Sequence, residues 1–275
     1  MKSVAIVILN YEAYRETEKC VDSILDKKLD VSGIVIVDNA SENDSLTYLT
    51  KKYRHNNRIK LVKCSRNLGF AKGNNIGIKV AKNTWDVDFV LLLNSDTVIL
   101  EEDYIIKMLD GYRKGIGVIQ TSALRMNGRY TQKNYGAYKL IAIVSELIIN
   151  FCSYFNIYCP SGAGIISEKT LGPWVSGCDI LLTPDFFETF RGLYPLTFLY
   201  GEEYILAIML KKAGMQWEII EDAHILHAES RSTPLDIKEG TWKKKGKMLI
   251  AGKNKVIVRI MPLWVLRWII NRGEW

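Results

Sequence analysis

Val4 to Leu9, Ile34 to Val37, Ile59 to Val62 and Phe89 to Leu93 are short, almost wholly apolar runs, each closed by polar residues. Runs of this length bounded in this way predict strands buried on both faces. Between them lie segments with helical spacing. Glu16 to Leu25 puts Cys20, Val21, Ile24 and Leu25 on one face, and Ser45 to Tyr53 and Phe70 to Val80 follow the same rule. Strands alternating with helices predict βαβ units, hence an α/β protein with a Rossmann-like, mixed but mostly parallel sheet flanked by helices. In an open sheet of this kind, functional residues gather in loops beyond the carboxyl ends of the strands. Polar clusters stand at all four such places: Asn10-Tyr11-Glu12, Asp38-Asn39-Ala40-Ser41, Arg66-Asn67-Leu68-Gly69 and Asn94-Ser95-Asp96.

Beyond residue 100 the pattern predicts a helix from Glu101 to Asp110, then weakens from Arg125 to Ser167. Leu140 to Tyr158 is strongly apolar, yet Glu146, Asn150 and Asn156 interrupt it, so a buried or interfacial helix is expected and a membrane span is not. Regular structure is expected again at Cys178 to Leu182 (strand), Glu202 to Ala213 (helix) and Trp217 to Ile220 (strand). The stretch from Lys243 to Trp275 opens on Lys243, Lys244, Lys245 and Lys247 and continues as an apolar run broken by Arg259, Pro262 and Arg267. Tryptophans among apolar residues with flanking basic ones suit a helix lying in the headgroup plane of a membrane; a helix packed on the core is the alternative.

Four clusters carry candidate chemistry. Asp38 can accept a hydrogen bond from a pyrimidine N3–H or a ribose hydroxyl, or it forms an Asx turn. In Arg66-Asn67-Leu68-Gly69-Phe70-Ala71-Lys72-Gly73-Asn74-Asn75, a glycine-bearing loop enters a helix whose free N–H groups favour a phosphate or sugar hydroxyls. This loop is neither a Walker A loop nor a GxGxxG fingerprint. In the third, Asp96, supported by Asn94, offers an oxygen anchor for a hard divalent cation, or it caps the following helix. Glu202 and Glu203, read with His227, include a candidate general base whose pKa a like-charged neighbour would raise; first-turn helix charge and a structural histidine are the alternatives.

In this order the clusters resemble the family-2 glycosyltransferases of the GT-A fold, in particular bacterial rhamnosyltransferase-like enzymes of cell-surface polysaccharide assembly. The matching residues are Val7 to Tyr11, Val37 to Ser41, Asn67 to Asn75, Leu93 to Thr97, Leu199 to Glu203 and His227, spanning about residues 3 to 230. The resemblance implies an inverting transfer from a nucleotide-diphosphate sugar, dTDP-rhamnose or a UDP-hexose, with Mg²⁺ or Mn²⁺ as cofactor. It implies that Asp38 reads the nucleotide base beside Asn10, Tyr11 and Glu12. Asn39, Arg66, Asn67, Gly69, Asn74 and Asn94 fall among the residues around the nucleotide-sugar. Asp96 would hold the metal, His227 would be a further ligand to the metal or to the diphosphate, and Glu203 would be the base. Two positions depart from the commoner pattern: Asn94 stands where some relatives have a first Asp, and Glu203 stands for Asp, which leaves Glu202 as the alternative base. The expected organisation is a glycosyltransferase domain over 1–235, with a nucleotide-sugar half (1–100) and an acceptor half (101–235), followed by a membrane-docking tail over 236–275. The expected acceptor is a glycan on a polyprenyl diphosphate.

Composition narrows this little. The chain has 275 residues, 48% hydrophobic and 24% charged, ordinary for a globular protein with a full core. Its net charge of +7 concentrates near the C-terminus, and no stacking aromatics interleave the basic residues of the core region, which argues against nucleic acid. Five cysteines without a CxxC pair suggest reduced thiols. Residues 1–9 suit a first strand better than a signal peptide. The expected place is the cytoplasm, at the inner face of the cell membrane. A sugar nucleotidyltransferase would need a Gly-rich, Arg-bearing loop after the first strand, and Asn10 to Tyr14 is not one. A catalytically silent component of a polysaccharide assembly complex is the rival reading, and the pattern assigns no oligomeric state.

Overall fold

The computed structural model describes residues 2–125, 177–228 and 241–273, with a few positions between 144 and 155; the side chains of 122–125 and 241–245 are outside the description. The strands are β1 (Val4–Asn10), β2 (Gly33–Asp38), β3 (Ile59–Lys63), β4 (Phe89–Asn94), β5 (Thr97–Ile99), β6 (Ile116–Arg125), β7 (Asp179–Leu182) and β8 (Gln216–His227). The helices are α1 (Tyr14–Asp26), α2 (Ser45–Tyr53), α3 (Gly69–Trp85), α4 (Tyr104–Asp110), α5 (Pro184–Thr189), α6 (Glu202–Lys212), α7 (Thr241–Ile260) and α8 (Leu263–Asn271). One eight-stranded sheet runs β3-β2-β1-β4-β7-β6-β8-β5. Its first four strands are parallel, as expected from their βαβ links. β7 then enters antiparallel beside β4, β6 pairs parallel with β8, and β5 closes the edge antiparallel to β8.

Period-two alternation sorts the strand side chains into two cores. Val7, Val35, Val37, Val90 and Leu92 face Ile78 and Ala81 of α3, while Ile6, Ile8, Ile36, Leu91 and Leu93 face Val21 and Ile24 of α1. Helix α3 lies close on β1 because its inner face is glycine: a Cβ on Gly73 would stand 2.5 Å from Leu9 Cδ1, and one on Gly77 2.2 Å from Val7 Cγ1. That approach sets the start of α3 at the carboxyl edge of the sheet. The strand register does the same for the loops, aligning Asn10 with Asp38 and Leu9 with Asn94.

The second half corrects several expectations. β5 was not visible in the sequence, and it separates Asp96 from the next helix. That helix begins at Tyr104, not Glu101, so Asp96 caps nothing. The expected strand from Trp217 to Ile220 extends through His227. Of the apolar stretch 140–158, Val144, Leu147, Ile148, Phe151, Cys152 and Tyr154 are helical, Phe155 is in a turn, and the rest lies outside the described residues. Helices α7 and α8 pack on the sheet domain, burying Val258, Leu266 and Ile270 completely in the same core as α3 and α6. The outer face of α8 leaves Trp264 and Trp268 74% and 58% exposed. Among the described residues no helix is long and apolar enough to cross a membrane, and Cys20 and Cys64 are buried thiols outside any disulfide.

Candidate active site

A cleft of about 440 Å³ opens at the carboxyl edge of β1, β2 and β4. Tyr11, Asn39, Asn67 and Gly69 line one side; Asn94, Ser95, Asp96 and His227 form the floor; Gly177, Phe198 to Tyr200, Glu202, Glu203 and Lys247 close the other side. Nine of the fourteen residues singled out from the sequence therefore share one space. Asn10, Glu12, Asp38, Arg66 and Asn74 do not line it.

The non-lining residues have structural work. Asn10 is buried, donates from Nδ2 to Asp38 Oδ1 at 2.8 Å and accepts from Thr17 Oγ1 at 2.8 Å. Asp38 Oδ1 also accepts from Ser41 Oγ at 2.6 Å, and Oδ2 accepts from Ser41 N at 3.2 Å. An ionised carboxylate has about four acceptor positions, so one remains after these three. Glu12 takes φ of 54°, with its N–H donating to Ser41 Oγ and its carbonyl accepting from Asn43 Nδ2. Asn74 donates back to Phe70 O within α3, and Arg66 is exposed.

Two asparagines staple the glycine loop to the end of β2. Asn39 Nδ2 donates to Asn67 Oδ1 at 3.0 Å, Asn39 Oδ1 accepts from Leu68 N, and Asn67 Oδ1 accepts from Gly69 N. Gly69 has φ of +78°, and a Cβ there would fall 2.2 Å from Phe198 O. The loop before α6 thus closes directly over the start of α3, sealed by the Phe70 N–H donating to Phe198 O at 2.9 Å.

The floor is a tight turn. Thr97 Oγ1 donates to Asn94 O at 2.6 Å, and Ala228 N donates to Asp96 O at 3.0 Å. The pairing of Thr97 with His227 across β5 and β8 brings His227 Nε2 to 3.3 Å from Asp96 Oδ1. Cys178 Sγ lies 3.4 Å from His227 Nδ1. Burial opposes the imidazolium charge, but the Asp96 carboxylate and the Cys178 thiol outweigh it and lift His227 to about 10. The imidazolium so favoured has no free lone pair, so Mg²⁺ or Mn²⁺ could be held by Asp96 and His227 only with loss of that proton. One buried carboxylate oxygen facing a neutral imidazole is then a donor set that suits either ion, with water and a substrate diphosphate completing the shell. Among the described residues no group of three or more His, Cys, Asp and Glu forms a closed metal cage.

Glu202 and Glu203 open α6 behind Tyr200 and Gly201, both left-handed at φ 75° and 82°. A tyrosine in that region is strained and held by its surroundings. The turn aims both carboxylates at the cleft, and a Cβ on Gly177 would stand 2.8 Å from Glu203 Oε1. Glu202 Oε1 is buried without a hydrogen-bond partner among the described residues. Burial raises the pKa of both carboxyls, and the charge of Glu203 raises Glu202 further.

Sequence reasoning missed Lys247 as a wall residue, its ammonium 5.2 Å from the Phe198 ring centre. It also missed Asp179, fully buried behind the floor. Asp179 Oδ2 accepts from Thr121 N, Thr121 Oγ1 and Tyr104 OH, and burial pushes its carboxyl up to about 6. The only visible signal was an acidic residue inside an otherwise apolar strand.

A parallel half continued by strands that include antiparallel pairings, with an Asp–His pair and an acidic helix start across one cleft, is the arrangement of a glycosyltransferase of the GT-A type. The family profile for glycosyl transferase family 2 matches residues 3–168, and the chain belongs to that family. It is 25% identical over 164 residues to rhamnosyltransferase WbbL of Escherichia coli K12, covering 58% of this chain and 60% of that protein's length. Among solved structures, GalNAc-T7 with UDP, GalNAc and Mn²⁺ superposes with a TM-score of 0.63 at 15% identity, over 93% of this chain and 48% of the other. Staphylococcus aureus TarS 1–349 in complex with UDP gives 0.55 at 16% identity, over 93% and 72%. At these identities the structural likeness concerns the fold.

Proposed function

We propose that this protein transfers a hexose or rhamnose, with inversion, from a nucleotide-diphosphate sugar to a lipid-linked glycan. The observation that carries the reading is the single cleft holding Asp96, His227, Glu202 and Glu203. The UDP of the solved neighbours, and the Mn²⁺ of one, support a nucleotide donor and a divalent cation. The base would stack near Tyr11, with Asn39 and Asn67 offering polar edges, and Asp38, which has no exposed surface, would act by holding Asn10 and Ser41 behind them. Asp96 and His227 would hold Mg²⁺ or Mn²⁺, whose chemistry here is to neutralise the leaving diphosphate.

The acceptor hydroxyl gives its proton to Glu203. Its oxygen bonds to the anomeric carbon as the bond from that carbon to the diphosphate oxygen breaks, and the nucleoside diphosphate leaves on the opposite face. Burial keeps the base weakly solvated and raises its pKa above the ordinary glutamate value, the direction that favours a general base. A polyprenyl-diphosphate acceptor at the cytoplasmic membrane face is supported by exposed Trp264 and Trp268 on α8 beside Ile260, with Arg267 between them. The lysine cluster's Lys243, Lys244 and Lys245 have side chains outside the description, and residues 229–240 lie outside it entirely.

The test is turnover of dTDP-rhamnose and a panel of UDP-sugars with Mn²⁺. Activity with one donor that falls by about 100-fold or more in Asp96→Ala and Glu203→Gln is expected. Undiminished turnover in both variants would refute the assignment. Co-sedimentation with anionic vesicles, lost in Trp264→Ala/Trp268→Ala, tests the membrane element.

A further inference from the structure

Helix α7 reaches back into the active site through a lysine. Lys255 is only 3% exposed, and its ammonium lies 4.2 Å from the ring centre of Tyr204 on α6. A Cβ on Gly201, the residue before Glu202, would stand 2.8 Å from Lys255 Cε and 3.7 Å from its Nζ. The lysine is thus seated directly under the turn that launches the two carboxylates. Its charge acts on both Glu202 and Glu203, against the burial that raises them. One residue earlier, Asn254 Nδ2 donates to Leu196 O at 2.8 Å, so the same turn of α7 grips the loop that closes the cleft. A buried ammonium is costly unless matched by negative charge, and two adjacent buried carboxyls resist ionising together. Here each fault answers the other.

We propose that Lys255 is a positioning residue of the Glu202–Glu203 pair: α7 holds its ammonium beneath Gly201 as the counter-charge against which one carboxylate stands ready as the base. The proposal rests on the reading of that pair as the general base. Helix α7 then belongs to the catalytic apparatus and is more than a link to α8. The other titratable groups facing the pair across the cleft are Asp96 and His227 from the sheet edge, Tyr11 and Tyr200 from the loops, and Lys247 from α7; Tyr204 on α6 faces the lysine itself. Lys255 does not itself line the cleft, so its loss should alter the base and leave donor binding in place.

The experiment follows donor turnover from about pH 5 to about pH 9 in the full chain, for Lys255→Met, Lys255→Gln and Lys255→Arg, with Glu202→Gln and Glu203→Gln in parallel. Lys255→Met and Lys255→Gln should move the acidic limb of kcat upward by about one pH unit and lower kcat at neutral pH about tenfold, with the donor KM within about twofold of wild type. Lys255→Arg should return the limb to its wild-type position. The limb's position does not depend on how much of a variant is folded, so poor folding of one substitution does not mask the result. An unmoved limb in both neutral variants, with activity lost in Glu203→Gln or Glu202→Gln, overturns the role of Lys255 alone. Wild-type turnover in both Gln variants overturns the base assignment and this proposal with it.

Discussion

Asn75 is the residue whose loss should most clearly connect fold and cleft. It lies on α3 with no exposed surface, and both ends of its amide engage one residue of the loop before α6. Asn75 Oδ1 accepts from Leu193 N at 2.7 Å, and Asn75 Nδ2 donates to Leu193 O at 2.9 Å. The fit leaves no room: a Cβ on neighbouring Gly192 would stand 2.4 Å from Asn75 Oδ1. Asn75→Ala strands one buried N–H and one buried C=O, each costing about 1–3 kcal/mol when left unmade. Two groups at about 2 kcal/mol each come to about 4 kcal/mol, which for a chain of this size lowers Tm by about 8–16 °C. Thermal and urea unfolding of the purified variant measure it, and hydrogen exchange at the Leu193 amide reports the local bond. Because the same loop continues to Phe198, Leu199 and Tyr200, donor KM should rise as well. A variant within about 1 kcal/mol of wild type, with Leu193 still protected, would refute the reasoning.

The raised carboxyls of Glu202 and Glu203 set the pH behaviour. Activity should fall on acidification well above the ordinary glutamate range, because the base must be ionised and burial opposes that. For folding the sign is reversed: the folded state holds protons that the unfolded chain gives up. The stabilisation from these groups is therefore full below the usual glutamate pKa and is lost as pH rises through the raised values; urea titrations of wild type against Glu202→Gln across that window test it. Gly77→Ala should drive α3 off β1, since its Cβ would meet Val7 Cγ1 at 2.2 Å and Val37 Cγ2 at 3.1 Å, with a loss of about 1–3 kcal/mol in denaturant unfolding. Asp96→Asn should raise the Mn²⁺ concentration for half-maximal activity by about tenfold or more in a metal titration while leaving Tm close to wild type.

The sequence alone determined the parallel half. Ser45 to Tyr53 appears as a helix with those bounds, and each of the four apolar runs lies inside an observed strand. Burial on both faces leaves a continuous apolar run, and strand–helix alternation then dictates the links. The loops beyond those strands were legible for the same reason, since parallel pairing puts Asn10, Asp38 and Asn94 at one edge whatever the rest of the chain does. The second half hid itself. β5 has three residues, and β8 carries the exposed Glu218, Glu221 and Asp222, so neither presents an apolar run. What only the tertiary structure decided were the long-range meetings. The β5–β8 pairing sets His227 against Asp96, Asn39 and Asn67 staple the glycine loop, and α7 folds back to bury Lys255 under Gly201. A lysine in a helical sequence predicts exposure; only the packing of α7 against α6 turns it inward, because the counter-charge it answers lies some fifty residues away in the chain.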